Sequence, residues 1–203
     1  MVFAWAIPTL ALSAGLIPAD HPVARSPLVR GLIARCRFAA VPIDDIERLA
    51  AWCREHTPGS ARFIGPPGPK TFRLWSRRSL AFNRAGSPYH AAGLADWFAR
   101  FQDHVDVHDS PQVFVQKYLS GRQELEARYD ELSDEKRAEL AVRQGADHVI
   151  ALAPGAPGSR QDSTSDRDSP LWLLHREGRF AVYRIRPEVL SQLQRQGQDQ
   201  RQR

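Results

Sequence analysis

Gly145-Ala-Asp-His-Val-Ile-Ala-Leu152 is the stretch that decides the fold. A glycine placed to end a helix is followed at once by Val149-Ile-Ala-Leu152, an apolar run with no polar alternation. Helices end on glycine because the left-handed backbone at the cap penalises any residue with a Cβ. A strand without a polar face is one covered on both sides. This step from helix to buried strand recurs in α/β sheets and predicts parallel pairing there. Before it, Ser133 can cap a helix whose first turn holds Asp134 and Glu135 and which runs to Gly145.

Working outward, residues 112–119 read as a helix, with a second helical patch from Gln123. Residues 90–104 place Leu94, Trp97, Phe98 and Phe101 on one face of another. Pro42 stands where a first helical residue is tolerated, and Ile43, Ile46, Leu49, Ala50 and Cys53 recur at helical spacing until Thr57-Pro58-Gly59. Short strands are expected at 61–64, 71–75 and 79–82, with a turn at 76–78. On the C-terminal side, residues 154–170 are rich in Gly, Pro, Ser and Asp and read as an exposed loop. Residues 171–175 and 180–185 then flank Arg-Glu-Gly-Arg as a β-hairpin. The expected fold is therefore an α/β domain over residues 39–187. It has a small mixed, partly parallel sheet, helices packed on it and a C-terminal β-hairpin at one edge. Trp52, Phe63, Trp97, Phe98, Val149 and Ile150 are its expected core, and the Gln-rich residues 188–203 a flexible tail.

Residues 1–38 form an apolar segment followed by a basic linker. From Met1 to Ala19 there is no charge, with about 16 apolar residues in a run against the ~20 that span a bilayer as a helix. The end of a transmembrane helix, with Trp5 and a tolerated Pro8, is the leading reading. A signal peptide lacks its leading positive charge, although Ala11-Leu-Ser-Ala14 offers a small-residue site, and a buried N-terminal helix also stays open. Arg25, Arg30, Arg35 and Arg37 follow, which on the positive-inside rule puts the domain in the cytoplasm.

The formal net charge is +5, and it sits at the two ends: residues 41–190 hold 21 basic and 21 acidic residues. A balanced middle gives no net attraction for a phosphate backbone, so nucleic acid is not an expected partner. Basic clusters beside an apolar segment suit anionic headgroups instead. Only Lys70, Lys117 and Lys136 are lysine, an Arg excess that reads as GC-rich coding bias. Cys36 and Cys53 are the only cysteines, too few for a disulfide framework, and a bridge between them requires an oxidising compartment.

The motifs with chemical content are weak. Gly65-Pro-Pro-Gly-Pro-Lys-Thr71 ends like a phosphate loop, but its three prolines remove the N–H donors that a phosphate cradle needs. His104 and His108 stand four apart among three carboxylates, yet the pattern reads first as a solvated helix exit, and no metal site is assigned. Lys70, Arg73, Arg77 and Arg78 are the candidate ligand-binding residues, able to gather at a sheet edge and hold a lipid phosphate or a sugar. No nucleophile elbow, zinc-protease helix or dinucleotide turn occurs, so no catalytic residue and no cofactor is assigned. A sugar-phosphate activity using His90, Asp96 or His148 is the remaining enzymatic reading.

Thr57-Pro-Gly-Ser-Ala61, Gly145-Ala-Asp-His-Val-Ile150 and Leu174-His-Arg-Glu-Gly-Arg-Phe-Ala-Val-Tyr-Arg-Ile185, in this order, resemble the soluble C-terminal domain of GT-C-type bacterial membrane glycosyltransferases and their relatives. Cys53-Arg-Glu-His-Thr-Pro58, Lys70-Thr-Phe-Arg-Leu-Trp-Ser-Arg-Arg78 and Gly93-Leu-Ala-Asp-Trp-Phe98 are similar to a planctomycete-type domain of unknown function at the end of polytopic proteins. The resemblance covers about residues 40–187. It implies an extramembrane accessory domain or fragment, inactive alone because the family's catalytic acid lies between membrane helices. The implied place is the bacterial inner membrane with the domain on the periplasmic side, opposite to the charge rule. The implied partners are the membrane, through the N-terminal segment, and a lipid-linked sugar or the remaining membrane part. The alternative is a free soluble α/β module for an anionic or sugar ligand.

Overall fold

Asp44 starts the first helix: its side chain accepts the Glu47 N–H at 2.8 Å, and α1 runs Asp45–His56. The helix begins beyond the expected Pro42 because Asp44 accepts a free N–H of the first turn, which the apolar Val41, the cap of a helix starting at Pro42, cannot do. In the computed structural model, residues 41–88, 90–159 and 169–201 are described. The chain falls into two compact units, Met1–Ile43 and Asp44–Arg203, and the second holds all the elements below. The apolar segment and basic linker of 1–38, Cys36 and residues 160–168 of the expected loop lie outside the described residues.

After α1 come β1 (Arg62–Ile64), α2 (Phe72–Ser76), β2 (Ser79–Leu80), a 3-10 turn (Arg84–Gly86) and α3 (Ala91–His104). Then follow α4 (Pro111–Ala127), α5 (Asp134–Arg143), β3 (His148–Leu152), β4 (Leu171–Glu177), β5 (Phe180–Ile185) and α6 (Pro187–Arg201). The sheet order is β2-β1-β3-β5-β4. The first three strands are parallel and the last two join antiparallel, so the sheet is mixed, with a C-terminal hairpin at its edge.

Three further expectations of secondary structure are corrected. Residues 71–75 are no strand but the single turn α2, which buries Phe72 and Ser76, four apart, on its inner side. The two helical patches of 112–127 are one helix with a kink at Gly121, whose φ of −144° and ψ of 46° leave the helical region. Residues 187–201 are helical where a flexible tail is expected, because Val189, Leu190 and Leu193 pack on the core that includes Ile185 and Leu171.

The Gly145 step is as expected. Gly145 takes φ +68° and the Ala146 N–H closes back on Ala141 O at 2.7 Å, which ends α5 and releases β3. Asp147 then fixes β3 against β1: its N–H donates to Arg62 O at 3.1 Å, and its carboxylate accepts the Arg62 N–H at 3.0 Å. Successive residues of β1 and β3 point to opposite faces. Ile64 and Val149 join Leu140 and Ala141 of α5, whereas Phe63 and Ile150 join Leu49 and Cys53 of α1 and Phe72 of α2. Both faces are thus covered, and β3 is buried along its whole length. A third cluster, around Phe82, Trp97, Phe101 and Phe114, holds α3 to α4.

Of the expected core, Phe63, Trp97, Val149 and Ile150 are buried, but Trp52 and Phe98 only half-buried. Trp52 is sandwiched between the His56 and His175 rings, at 4.5 Å and 4.4 Å, so α1 grips the hairpin through a stack near the surface. Gly178 at φ +53° makes the hairpin turn, and the Arg179 N–H donates to Asp45 Oδ2 at 2.9 Å. Among the described residues no helix is long and apolar enough to cross a membrane.

Candidate functional site

An open α/β sheet offers its ligand crevice outside the C-terminal ends of parallel strands, at the point where the strand order reverses. Here that point lies between β1 and β3, since the chain leaves β1 toward β2 and leaves β3 toward the hairpin. The last β1–β3 pair is Ile64 with Val149; β1 stops there while β3 continues to Leu152. The next carbonyl on each strand is already taken. His104 Nε2–H donates to Gly65 O at 2.7 Å, and the Tyr129 hydroxyl donates to Ile150 O at 2.9 Å. The His104 and Tyr129 rings stack at 4.9 Å, and neither side chain touches solvent. At Gly65 a Cβ would lie 3.2 Å from Ile150 Cβ, so this close fit suits glycine.

Sequence reasoning singles out neither His104 nor Tyr129 for this role. α3 delivers His104 from its last turn, because Trp97 and Phe101 on the same face are buried among aromatics. Tyr129 follows α4, where Leu125 is buried four positions earlier. Burial lowers the His104 imidazole to about 4, opposed by its bond to Gly65 O and by the nearby Gln144 amide. The ring is therefore neutral near neutral pH, with Nε2 carrying the proton that Gly65 O receives. Burial likewise pushes the Tyr129 phenol above its ordinary value, so it stays a donor. Asp130, beside it, is pushed up to about 6 by burial, against the pull of Arg137 and Arg179.

The four sequence candidates separate. Lys70, Arg73 and Arg77 are exposed on and beside α2, with no carboxylate partner among the described residues. Arg78 turns inward: its guanidinium donates to Arg54 O and Thr57 O, each at 2.6 Å, and to Thr57 Oγ1 at 3.2 Å. It thereby caps the C-terminus of α1, where free carbonyls and the helix dipole favour a cation. Arg78→Ala is expected to cost about 2 kcal/mol, as for lost charge-assisted hydrogen bonds. Urea unfolding monitored by circular dichroism checks this, and an unchanged midpoint contradicts it.

The remaining motifs are accounted for by packing. The proline loop is held by the chain itself, with Asn83 Nδ2 donating to Pro69 O at 2.8 Å and the Arg84 N–H to Pro67 O at 3.2 Å. Beneath it Arg84 pairs with Glu126. His104 and His108 part: the first faces Gly65 O, while the second is exposed, with Nε2 3.4 Å from Asp106. Lys136 holds Asp106 below the usual carboxylate range. Among the described residues no three His, Cys, Asp or Glu side chains gather as a metal site. His90 accepts the Gly93 N–H as the cap of α3, Asp96 is exposed, and His148 is buried, donating to Asp147 at 2.8 Å. Burial pushes the Cys53 thiol up to about 12, which makes it inert as a nucleophile. A depression of about 200 Å³ lined by Ser60, Arg62, Asp147 and Gln194 sits at the opposite end of β1. That is below the ~300 Å³ where small-molecule pockets begin.

A feature of charge is hidden by the balanced total of the middle. Between Glu55 and Asp96 there is no Asp or Glu, while Arg62, Lys70, Arg73, Arg77, Arg78 and Arg84 all fall there. Residues 96–147 compensate, with 12 acidic residues against 7 basic. Of the six cations, Arg78 and Arg84 are bound to the chain's own groups, which leaves Arg62 apart from the three around α2.

These features define an α/β domain whose sheet crevice is filled by its own side chains. A family profile described as "Domain of unknown function (DUF6798)" matches residues 44–104, which run from the cap of α1 to His104. No curated protein and no solved structure matches the chain.

Proposed function

We propose that this chain is an extramembrane accessory domain of a bacterial membrane protein of the GT-C-like kind, placed at the inner membrane on the periplasmic side and not catalytic by itself. The observation that carries the non-catalytic reading is the filled crevice: His104 and Tyr129 bond the two carbonyls where the parallel strands part, and both are wholly buried. A catalytic group has to reach substrate. The perturbed His104 and Tyr129 serve the interior, and the exposed His90 and Asp96 carry no shared partner. The resemblance over about residues 40–187 and the uncharged apolar run before Ala19 support the membrane assignment.

Under this reading the N-terminal segment holds the protein on the bilayer, and the rest of the membrane protein or a lipid-linked sugar is the partner. The full chain, expressed in bacteria, is expected to pellet with membranes and to remain there through a high-salt wash, since apolar insertion is not screened by ions. Release into the soluble fraction overturns the membrane assignment in favour of a free binding module for an anionic or sugar ligand.

A further inference from the structure

We infer that the exposed residues on and beside α2, Lys70, Arg73, Leu74 and Arg77, form a contact surface for an anionic lipid bilayer. This rests on the membrane reading above and adds how the domain lies on the lipid.

Arg73 and Leu74 lie on the turn itself, and Lys70 and Arg77 flank it within two residues of its ends, all four exposed. The inner side is fixed by burial, since Phe72 at 1% exposure and Ser76 at 0% face the core. Leu74 is 73% exposed. A large apolar side chain held out among three cations suits the boundary between headgroups and acyl chains. The cations have no carboxylate partner among the described residues and lie in the 40 acid-free positions 56–95, so nothing in the local sequence neutralises them.

A nucleic acid fits less well. Leu74 offers nothing to a phosphate backbone.

The test places a reporter on α2 in the full chain. Leu74→Cys, in a Cys36→Ser background, is labelled with an environment-sensitive fluorophore; Cys53 is fully buried and does not compete. Flotation with phosphatidylcholine vesicles reads the N-terminal tether, whereas the emission shift on adding phosphatidylglycerol reads α2. The expected result is flotation with both vesicle types, and a blue shift only on the anionic ones that weakens as salt is raised. Changing Lys70→Gln, Arg73→Gln and Arg77→Gln together should raise the anionic lipid needed for half the shift by on the order of a hundredfold, about fivefold per cation. Flotation should be unaffected. An absent shift on anionic vesicles, or an unchanged one in the triple variant, overturns the α2 surface while leaving the tether intact. An equal shift with inorganic phosphate or single-stranded DNA also overturns it, in favour of a general anion site. Loss of flotation on neutral vesicles, with the anionic shift retained, removes the tether and keeps the α2 surface.

Discussion

Val149→Asp is expected to cost the domain several kcal/mol of stability and to lower its melting temperature sharply. Val149 is wholly buried in a strand buried along its length, and it packs with Ile64 and the α5 and α6 side chains. A carboxylate there stands among the apolar side chains of that cluster, and either its charge or its proton enters an apolar interior. The cost is several kcal/mol, against a total stability of about 5–15 kcal/mol for a domain of ordinary size. Circular dichroism melting checks it; a cooperative transition at the wild-type temperature contradicts the central position of β3 and with it the sheet order.

The second large effect concerns acid. His104 is neutral in the folded chain and titrates at about 4, whereas an unfolded histidine titrates near ~6.5. Between those values the unfolded state binds the extra proton, so the His104 contribution is fully present above pH ~6.5 and is lost as pH falls to about 4. The size is about 3 kcal/mol. Asp130 opposes it: pushed up to about 6, it holds its proton in the folded chain, and so favours folding as pH falls through that value. The two effects overlap and partly cancel in the wild type. Asp130→Asn removes the second, and urea titrations of that variant are expected to show a steeper loss of stability from pH 6.5 to 4 than the wild type. Adding His104→Gln, which can still donate to Gly65 O, is expected to flatten the slope by the His104 share. Equal slopes in the single and double variants contradict a buried neutral imidazole.

What was legible in the sequence lay in local signals. Gly145 before an apolar run and Gly178 between two strand patterns are single positions whose backbone requirement identifies them, and the mixed sheet with its hairpin follows from both. α2 was not legible because one turn is too short to display a helical period, and Thr71-Phe-Arg-Leu74 alternates just as a strand would. α6 was hidden by its glutamines, among which Val189, Leu190 and Leu193 form the whole apolar stripe. The filled crevice joins residues 39 and 21 positions apart in sequence, and no local pattern announces such pairs. His104 in particular looks like part of a polar exit until the aromatic face of α3 is seen to carry it inward. The segregation of charge was fully visible in the sequence; a single sum over the middle concealed it. Of the four cations proposed from sequence, Arg78 illustrates the limit of such reading, since only the fold shows its donors spent on the end of α1.

The closure of the crevice can be measured on His104 itself. Imidazole ¹⁵N and ¹³C resonances, assigned by their loss in His104→Gln, report both tautomer and titration in the intact chain. His104 is expected to stay neutral, with the proton on Nε2, down to a pH of about 4. A His104 resonance that titrates near ~6.5, as a solvated imidazole does, would contradict it.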